Sequence, residues 1–187
     1  YWASVVTMAH SLIGEFMVND ISAGEADPQM LPTVGNLQLP YVAMHSRGDS
    51  MTMQSLTDYN DVTEDVVDYF KTFSEKAACH GIQNWILDPG FGFAKTMDQN
   101  FRILKELDKL KSVLCADGST PRLLVGVSRK SMIYKKFAIS PEDALPATQV
   151  LHYKALLSGA DILRVHDVAQ ARQTVELYRI FEAKNCR

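Results

Sequence analysis

The chain has 187 residues, 47% hydrophobic and 22% charged, with a net charge of −3, a composition that suits a globular domain with one core. Its Lys and Arg residues are scattered, so the basic stripe of a nucleic-acid binder is absent and a small-molecule partner is expected. Cys79, Cys115 and Cys186 form no C-x-x-C pair, no apolar run reaches the roughly 18 residues of a membrane span, and "YWASVVTMAHSL" lacks the basic flank and cleavage site of a signal peptide; a soluble cytoplasmic protein with reduced thiols is expected.

Trp2, Val5, Val6, Ala9 and Leu12 recur at helical spacing, so the chain is predicted to open inside a helix. A strand-length apolar run follows in "FMVNDIS" (16–22), which carries Asn19 and Asp20, and a second in "LPYVAMHS" (39–46), which ends in Met44 and His45. Val62, Val66, Val67, Phe70 and Phe73 then make a helical stripe. "IQNWILDPG" (82–90) is the third strand, ending in Asp88. Thr96-x-x-Gln99 reads as a capping box at the start of a helix with Phe101, Leu104, Leu107 and Leu110 on one face. "RLLVGVS" (122–128) is the fourth strand, leading into Ser128-Arg129-Lys130. Ser140-Pro141-Glu142-Asp143 supplies an N-cap, a proline at the first helical position and acid in the first turn. "ADILRVHD" (160–167) is the fifth strand, ending in Arg164 and His166, and Val168, Ala171, Val175, Tyr178 and Phe181 form a last stripe.

Strand and helix alternate without a linker or repeat, which predicts an α/β fold with a parallel sheet in a single domain over 1–187. A doubly wound sheet would carry glycines in its first strand-helix turn, and neither "NDISAGEAD" nor "GFGFAK" has that spacing. In a (β/α)8 TIM barrel the active site lies where the C-terminal ends of all strands converge. All five runs here end in polar or charged residues, which favours the barrel. A complete barrel has eight units in about 250 residues. The five units between Phe16 and Lys184 therefore predict an incomplete barrel, truncated at its N-terminus, with three units preceding Tyr1.

Along a strand, side chains alternate, so Ile162, Arg164 and His166 share a face. A guanidinium fork and an imidazole at a barrel mouth suit a phosphate or diphosphate, although Arg164 paired with a neighbouring carboxylate would look the same. In "GVSRKS", Gly126 allows close approach of a ligand, Lys130 supplies charge, and Ser128 and Ser131 supply hydroxyls near a helix start; a capped helix with solvated bases is the plainer alternative. In "WILDPGFGFAKT", Asp88 is placed to accept paired N–H donors from a nitrogen heterocycle, with phenylalanine to pack on its face, while Asp-Pro-Gly is also a good turn. Asn19 offers a donor and an acceptor, and Asp20 a cap. His10, His45, His80 and His152 lack metal-ligand spacing and are assigned surface or structural places.

"NDIS", "MHSRG", "DPGFGFAKT", "GVSRKS" and "RVHDV", in this order, resemble dihydropteroate synthase, a pterin-binding barrel family of folate biosynthesis. The resemblance implies a cytoplasmic, homodimeric transferase, the target of sulfonamides, with pterin diphosphate and p-aminobenzoate as its partners. It implies that Asn19, Asp88 and Lys130 hydrogen-bond the pterin and that Ile21, Met44, Phe93 and Gly126 line its pocket. Arg164 would lie over the ring and, with His166, hold the diphosphate, and Ser131 would meet the p-aminobenzoate carboxylate. Of these, Asp88, Lys130, Arg164 and His166 are the candidate catalytic groups. The family displaces diphosphate from a pterin methylene carbon with the aniline nitrogen, which calls for leaving-group stabilisation more than a strong base. Mg2+ is implied as cofactor, but its asparagine would lie upstream of residue 1, so no metal ligand is expected here. Asp49-Ser50 depart from the family's usual proline-containing loop. The alternatives are a methyltetrahydrofolate-corrinoid methyltransferase of the same fold, which has no use for a diphosphate site, and an inactive barrel fragment whose open edges pair with another chain.

Overall fold

The computed structural model describes residues 2–48 and 51–182, so Tyr1, Asp49, Ser50 and Cys186 lie outside the described residues. The elements run α1 (Ala3–Ile13), β1 (Val18–Asp20), α2 (Met30–Leu37), β2 (Tyr41–Met44), α3 (Val62–Cys79), β3 (Trp85–Asp88), α4 (Met97–Lys105), β4 (Arg122–Val125), α5 (Ser131–Phe137), α6 (Leu145–Leu157), β5 (Ile162–Leu163) and α7 (Val168–Glu182). The five strands form one parallel sheet in the order β1-β2-β3-β4-β5. Among the described residues β1 and β5 are its two edges, so the barrel does not close.

The alternation of side chains sorts the strands into two layers. Val18, Tyr41, Ala43, Trp85, Leu87, Leu123 and Val125 face the helices and merge into the main core. There Phe70 and Phe73 of α3 pack on Trp85 with ring centroids 6.2 and 5.0 Å apart. Burying an aromatic or aliphatic side chain of this size contributes roughly 1.5–3 kcal/mol, so α3 is held by its stripe more than by its propensity. On the opposite face Val42, Ile86 and Leu124, with Ile162, make a separate small cluster. Register places Val42 beside Ile86 and Leu124 beside Ile162, so this is the interior layer of the barrel wall. Met44 and Asp88, also in register, continue that face toward the C-terminal ends of the strands.

Side-chain caps set the starts of α3 and α4. Asp61 caps α3, accepting from the N–H groups of Thr63 and Glu64 at 3.0 and 3.2 Å. Thr96 and Gln99 form the capping box of α4. Three details differ from the sequence-based expectations. The Ser140 cap starts a 3-10 turn, Glu142–Ala144, and the α-helix begins only at Leu145. Leu107 and Leu110 are buried, but on a 3-10 turn that follows α4. Of the stripe read in α1, only Val6 is buried while Trp2, Val5 and Leu12 are exposed, because this helix packs on α2 from one side and no described element covers the other. Helix α2 carries Pro32 and Gly35, breakers that hide it from a periodicity search. Gly35 is required there: a Cβ would stand 1.8 Å from the His80 carbonyl oxygen.

Candidate active site

Asp88 ends β3 with no exposed surface. Its Oδ1 accepts the Gly90 N–H at 2.9 Å, which closes the Asp-Pro-Gly turn. Gly90 has φ 68°, and a side chain there would strike the His45 carbonyl oxygen, so the turn is specific to glycine. Oδ2 lies 2.8 Å from Arg164 Nη1, yet neither atom has a partner in hydrogen-bond geometry. The contact is an ion pair that leaves a buried carboxylate oxygen open to a better-aligned donor. Burial pushes the Asp88 carboxyl up, opposed by the positive charge of Arg164, the Gly90 N–H, the close N–H contact of Arg164 and the charge of Lys130.

Arg164 lies just past β5, where its N–H still donates to the Val125 carbonyl at 2.9 Å. Its side chain, 39% exposed, reaches from the rim across to Asp88, at 0%. Gly126 makes that path possible, since a Cβ there would meet Nη2 at 2.8 Å and Nε at 3.1 Å. Lys130 is half-buried nearby, with Nζ 4.9 Å from the centroid of the Phe93 ring and its stem against Gly92. Burial lowers its pKa, as does the charge of Arg164, while Asp88 opposes both. Cations stacked on an aromatic face of this kind gain about 0.5–2 kcal/mol. Loops after β3, β4 and β5 thus bring Asp88, Phe93, Gly126, Lys130 and Arg164 into one cluster. Met44 closes its floor, buried against Gly90.

Asn19 is on the same interior face, in register with Val42, exposed and with no hydrogen-bond partner for its side chain among the described residues. Ile21 follows it in the turn, half-buried. Asp20 points to the other face and caps this turn, accepting from Ser22 N–H (2.9 Å), Ser22 Oγ (2.7 Å), Gly24 N–H (2.8 Å) and Tyr41 OH (2.6 Å). Burial pushes its pKa up, and the four donors more than offset that. His166 is exposed; its backbone N–H and its Nδ1 lie 3.2 and 3.0 Å from Ser128 Oγ, which leaves Nε2 toward solvent. Ser131 opens α5, half-buried. Arg164 therefore does pair with a carboxylate, and that carboxylate is the other candidate site residue.

Two groups were missed. Lys95, 4% exposed, puts Nζ 2.9 Å from His45 Nδ1 and donates to the carbonyls of Gly90 (3.2 Å) and Phe93 (3.0 Å), pinning the glycine-rich loop to the end of β2. Burial brings its pKa down to about 7, against the charge of Asp88, and burial also keeps the His45 ring neutral. Nothing local in "GFAKT" distinguishes this lysine from a solvated one. The second is the Arg129–Asp167 pair, bidentate at 2.8 and 2.6 Å.

A cavity of 550 Å³ lies elsewhere, lined by Glu25, His45, Arg47, Asp65, Tyr69 and Lys76 among others. Its charges partly neutralise one another, as in the Arg47–Asp65 bridge of 3.1 Å, so the Asp88 cluster is the better candidate on chemistry. Among the described residues no three His, Cys, Asp or Glu side chains converge on a metal position, and Asp88 already faces two cations. Mg2+ is commonly held by one or two carboxylates together with substrate phosphates and water, and the one carboxylate in this cluster, Asp88, is already engaged by Arg164 and Lys130. No helix of the described residues is long and apolar enough to cross a membrane.

A parallel α/β sheet with polar and charged side chains gathered at the C-terminal strand ends defines the class as a TIM-barrel-type fold with its candidate site at the strand mouths. A family model described as pterin binding enzyme matches residues 1–166, and the chain belongs to that family. It is 40% identical over 163 residues to the dihydropteroate synthase of Synechocystis sp., a match that covers 86% of this chain and 54% of that protein. The Yersinia pestis dihydropteroate synthase in a sulfonamide drug complex superposes with a TM-score of 0.89 at 29% identity, over 97% of this chain and 64% of that one. The Thermus thermophilus enzyme in complex with 4-aminobenzoate gives 0.87 at 28% identity, over 96% and 71%. The chain spans about half the length of the Synechocystis relative.

Proposed function

We propose that this chain forms the pterin- and diphosphate-facing part of a dihydropteroate synthase. The reaction joins 6-hydroxymethyl-7,8-dihydropterin diphosphate to p-aminobenzoate: the methylene C–O bond breaks, the aniline nitrogen bonds to that carbon and loses a proton, and diphosphate leaves. The observation that carries this reading is the buried Asp88 oxygen with no aligned donor, under a guanidinium that rises to the rim. A carboxylate so placed suits paired N–H groups of a pterin edge, with Asn19 and Lys130 as further ring partners and Phe93, Met44, Ile21 and Gly126 as walls. When Arg164 turns from Asp88 to the diphosphate it neutralises the leaving group, and His166 Nε2 adds a donor. Ser131 serves the p-aminobenzoate carboxylate, and the 4-aminobenzoate complex of the Thermus thermophilus enzyme supports that partner. Mg2+ stands only as the cofactor the family implies, and no step is assigned to it.

The same reading carries a cytoplasmic, homodimeric protein. The exposed Leu177, Ile180 and Phe181 share one side of α7 and offer an apolar surface for a second copy, and a mass-resolved sizing run reads the state directly. Calorimetric titration of the chain with pterin diphosphate, with Mg2+ present, tests the function. Saturable binding supports it; no heat at millimolar ligand overturns the claim that this chain forms the site by itself.

A further inference from the structure

Arg129 immediately precedes Lys130 and holds a left-handed backbone, φ 50°, in a turn closed by the Lys130 N–H on the Val127 carbonyl at 3.3 Å. A residue with a Cβ disfavours that conformation, and it persists where the surroundings over-determine it. They do so here. Nε and Nη2 fork onto the two oxygens of Asp167, Nη1 donates to the carbonyls of Pro141 and Glu142 at 3.3 Å each, and the backbone N–H donates to the buried Thr148 Oγ1 at 3.2 Å. None of these contacts is to Asp88, Phe93 or Arg164. Ser128, on the other side of Arg129, holds His166. The loop after β4 and the loop after β5 are thus tied twice, once at the site and once behind it.

We propose that Asp167, acting through Arg129, is a positioning residue for Lys130. The fork keeps the turn left-handed, and the turn aims the Lys130 side chain past Gly92 onto the Phe93 ring beside Asp88. Lys130 is the N-cap of α5, with φ −76° and ψ 158°, so the direction of its stem is set by the residue before it and the helix after it. A right-handed Arg129 would swing the stem away from Phe93 while leaving α5 in place. The functional weight of this device rests on Lys130 being a pterin ligand, as proposed above.

The test uses the full chain with Asp167→Asn and Arg129→Gly. Glycine accepts a φ of 50° without strain but has no fork, so this variant separates the tether from the preference of the turn. Two quantities are read: affinity for pterin diphosphate by fluorescence titration, and the NMR signal of 13C-methylated Lys130, assigned through Lys130→Arg. In the wild type that signal is expected to carry a ring shift from Phe93, whose centroid lies 4.9 Å from Nζ. Both variants are expected to move it toward that of a solvated lysine and to weaken the pterin by about tenfold, the effect of misaligning one charged hydrogen bond. Arg129→Lys, with charge but no fork, gives the same readouts should Asp167→Asn fail to fold. An unmoved signal with wild-type affinity in these variants overturns the proposal. If the wild type binds no pterin diphosphate, the functional reading fails separately and the Lys130 signal alone decides the positioning.

Discussion

The guanidinium of Arg164 crosses the bare Cα of Gly126 and brings Nη1 to 2.8 Å from Asp88 Oδ2. One residue from each of β3, the loop after β4 and the loop after β5 is needed for this contact, and none of the three is near another in sequence. The contact holds Arg164 in wait: it is satisfied electrostatically, but not in hydrogen-bond geometry, so an incoming anion with well-placed oxygens competes for it on good terms.

Arg164→Ala is therefore expected to weaken pterin diphosphate binding by about 1.5–3 kcal/mol, the scale of a hydrogen bond to a charged group. The same variant should affect a pterin without the diphosphate far less. Paired calorimetric titrations with the two ligands check this, and equal losses for both would refute a diphosphate role.

Gly126→Ala introduces a methyl group 2.8 Å from Arg164 Nη2. Its neighbour is the far end of a flexible side chain and its backbone is not left-handed, so the fold should tolerate the change. The melting temperature is expected to move little, while affinity for the pterin diphosphate falls. A variant with wild-type affinity would show that Arg164 does not need this path.

Lys95 makes stability depend on pH. Its folded pKa, about 7, lies below the ordinary lysine value of 10.5, so the unfolded chain binds more protons across that window and stability from this group rises with pH between them. Below pH 7 the lysine is charged in both states and the penalty is fully present. Urea unfolding at about pH 7 and about pH 9, both inside that window, should show the rise in the wild type and its loss in Lys95→Met. A rise of equal size in the variant would assign it to another group.

Phe70→Ala empties the contact between α3 and Trp85, where Phe70 has no exposed surface. The expected loss is about 3–5 kcal/mol, transfer and cavity together. Chemical denaturation measures it, and a change below about 1 kcal/mol would mean that this stripe does not hold the helix to the sheet.

The order of elements was legible in the sequence because strand and helix periods are local. Alternating apolar runs marked five strands, the Thr96–Gln99 box marked α4, and polar residues at each strand end marked the face where chemistry gathers. Short elements with breakers were not legible, as Pro32 and Gly35 in α2 show, since only the close approach to His80 explains the glycine. The apolar stripe of α1 stays largely exposed, because periodicity reports that a helix has an apolar side but not whether anything covers it.

The candidate residues follow from motifs whose side-chain chemistry is readable one at a time: an acid before a glycine turn, a lysine before a helix, an arginine and a histidine past a strand. Their partnership was decided by the tertiary structure alone. Asp88 meets Arg164 from far along the chain because parallel pairing sets β3, β4 and β5 side by side, and Gly126 on the intervening strand end lets the guanidinium pass. Lys95 and Asp167 matter for the same physical reason. A buried amine or a bidentate ion pair has its meaning in the carbonyls and carboxylates folded around it, and no local pattern of sequence encodes that surrounding shell.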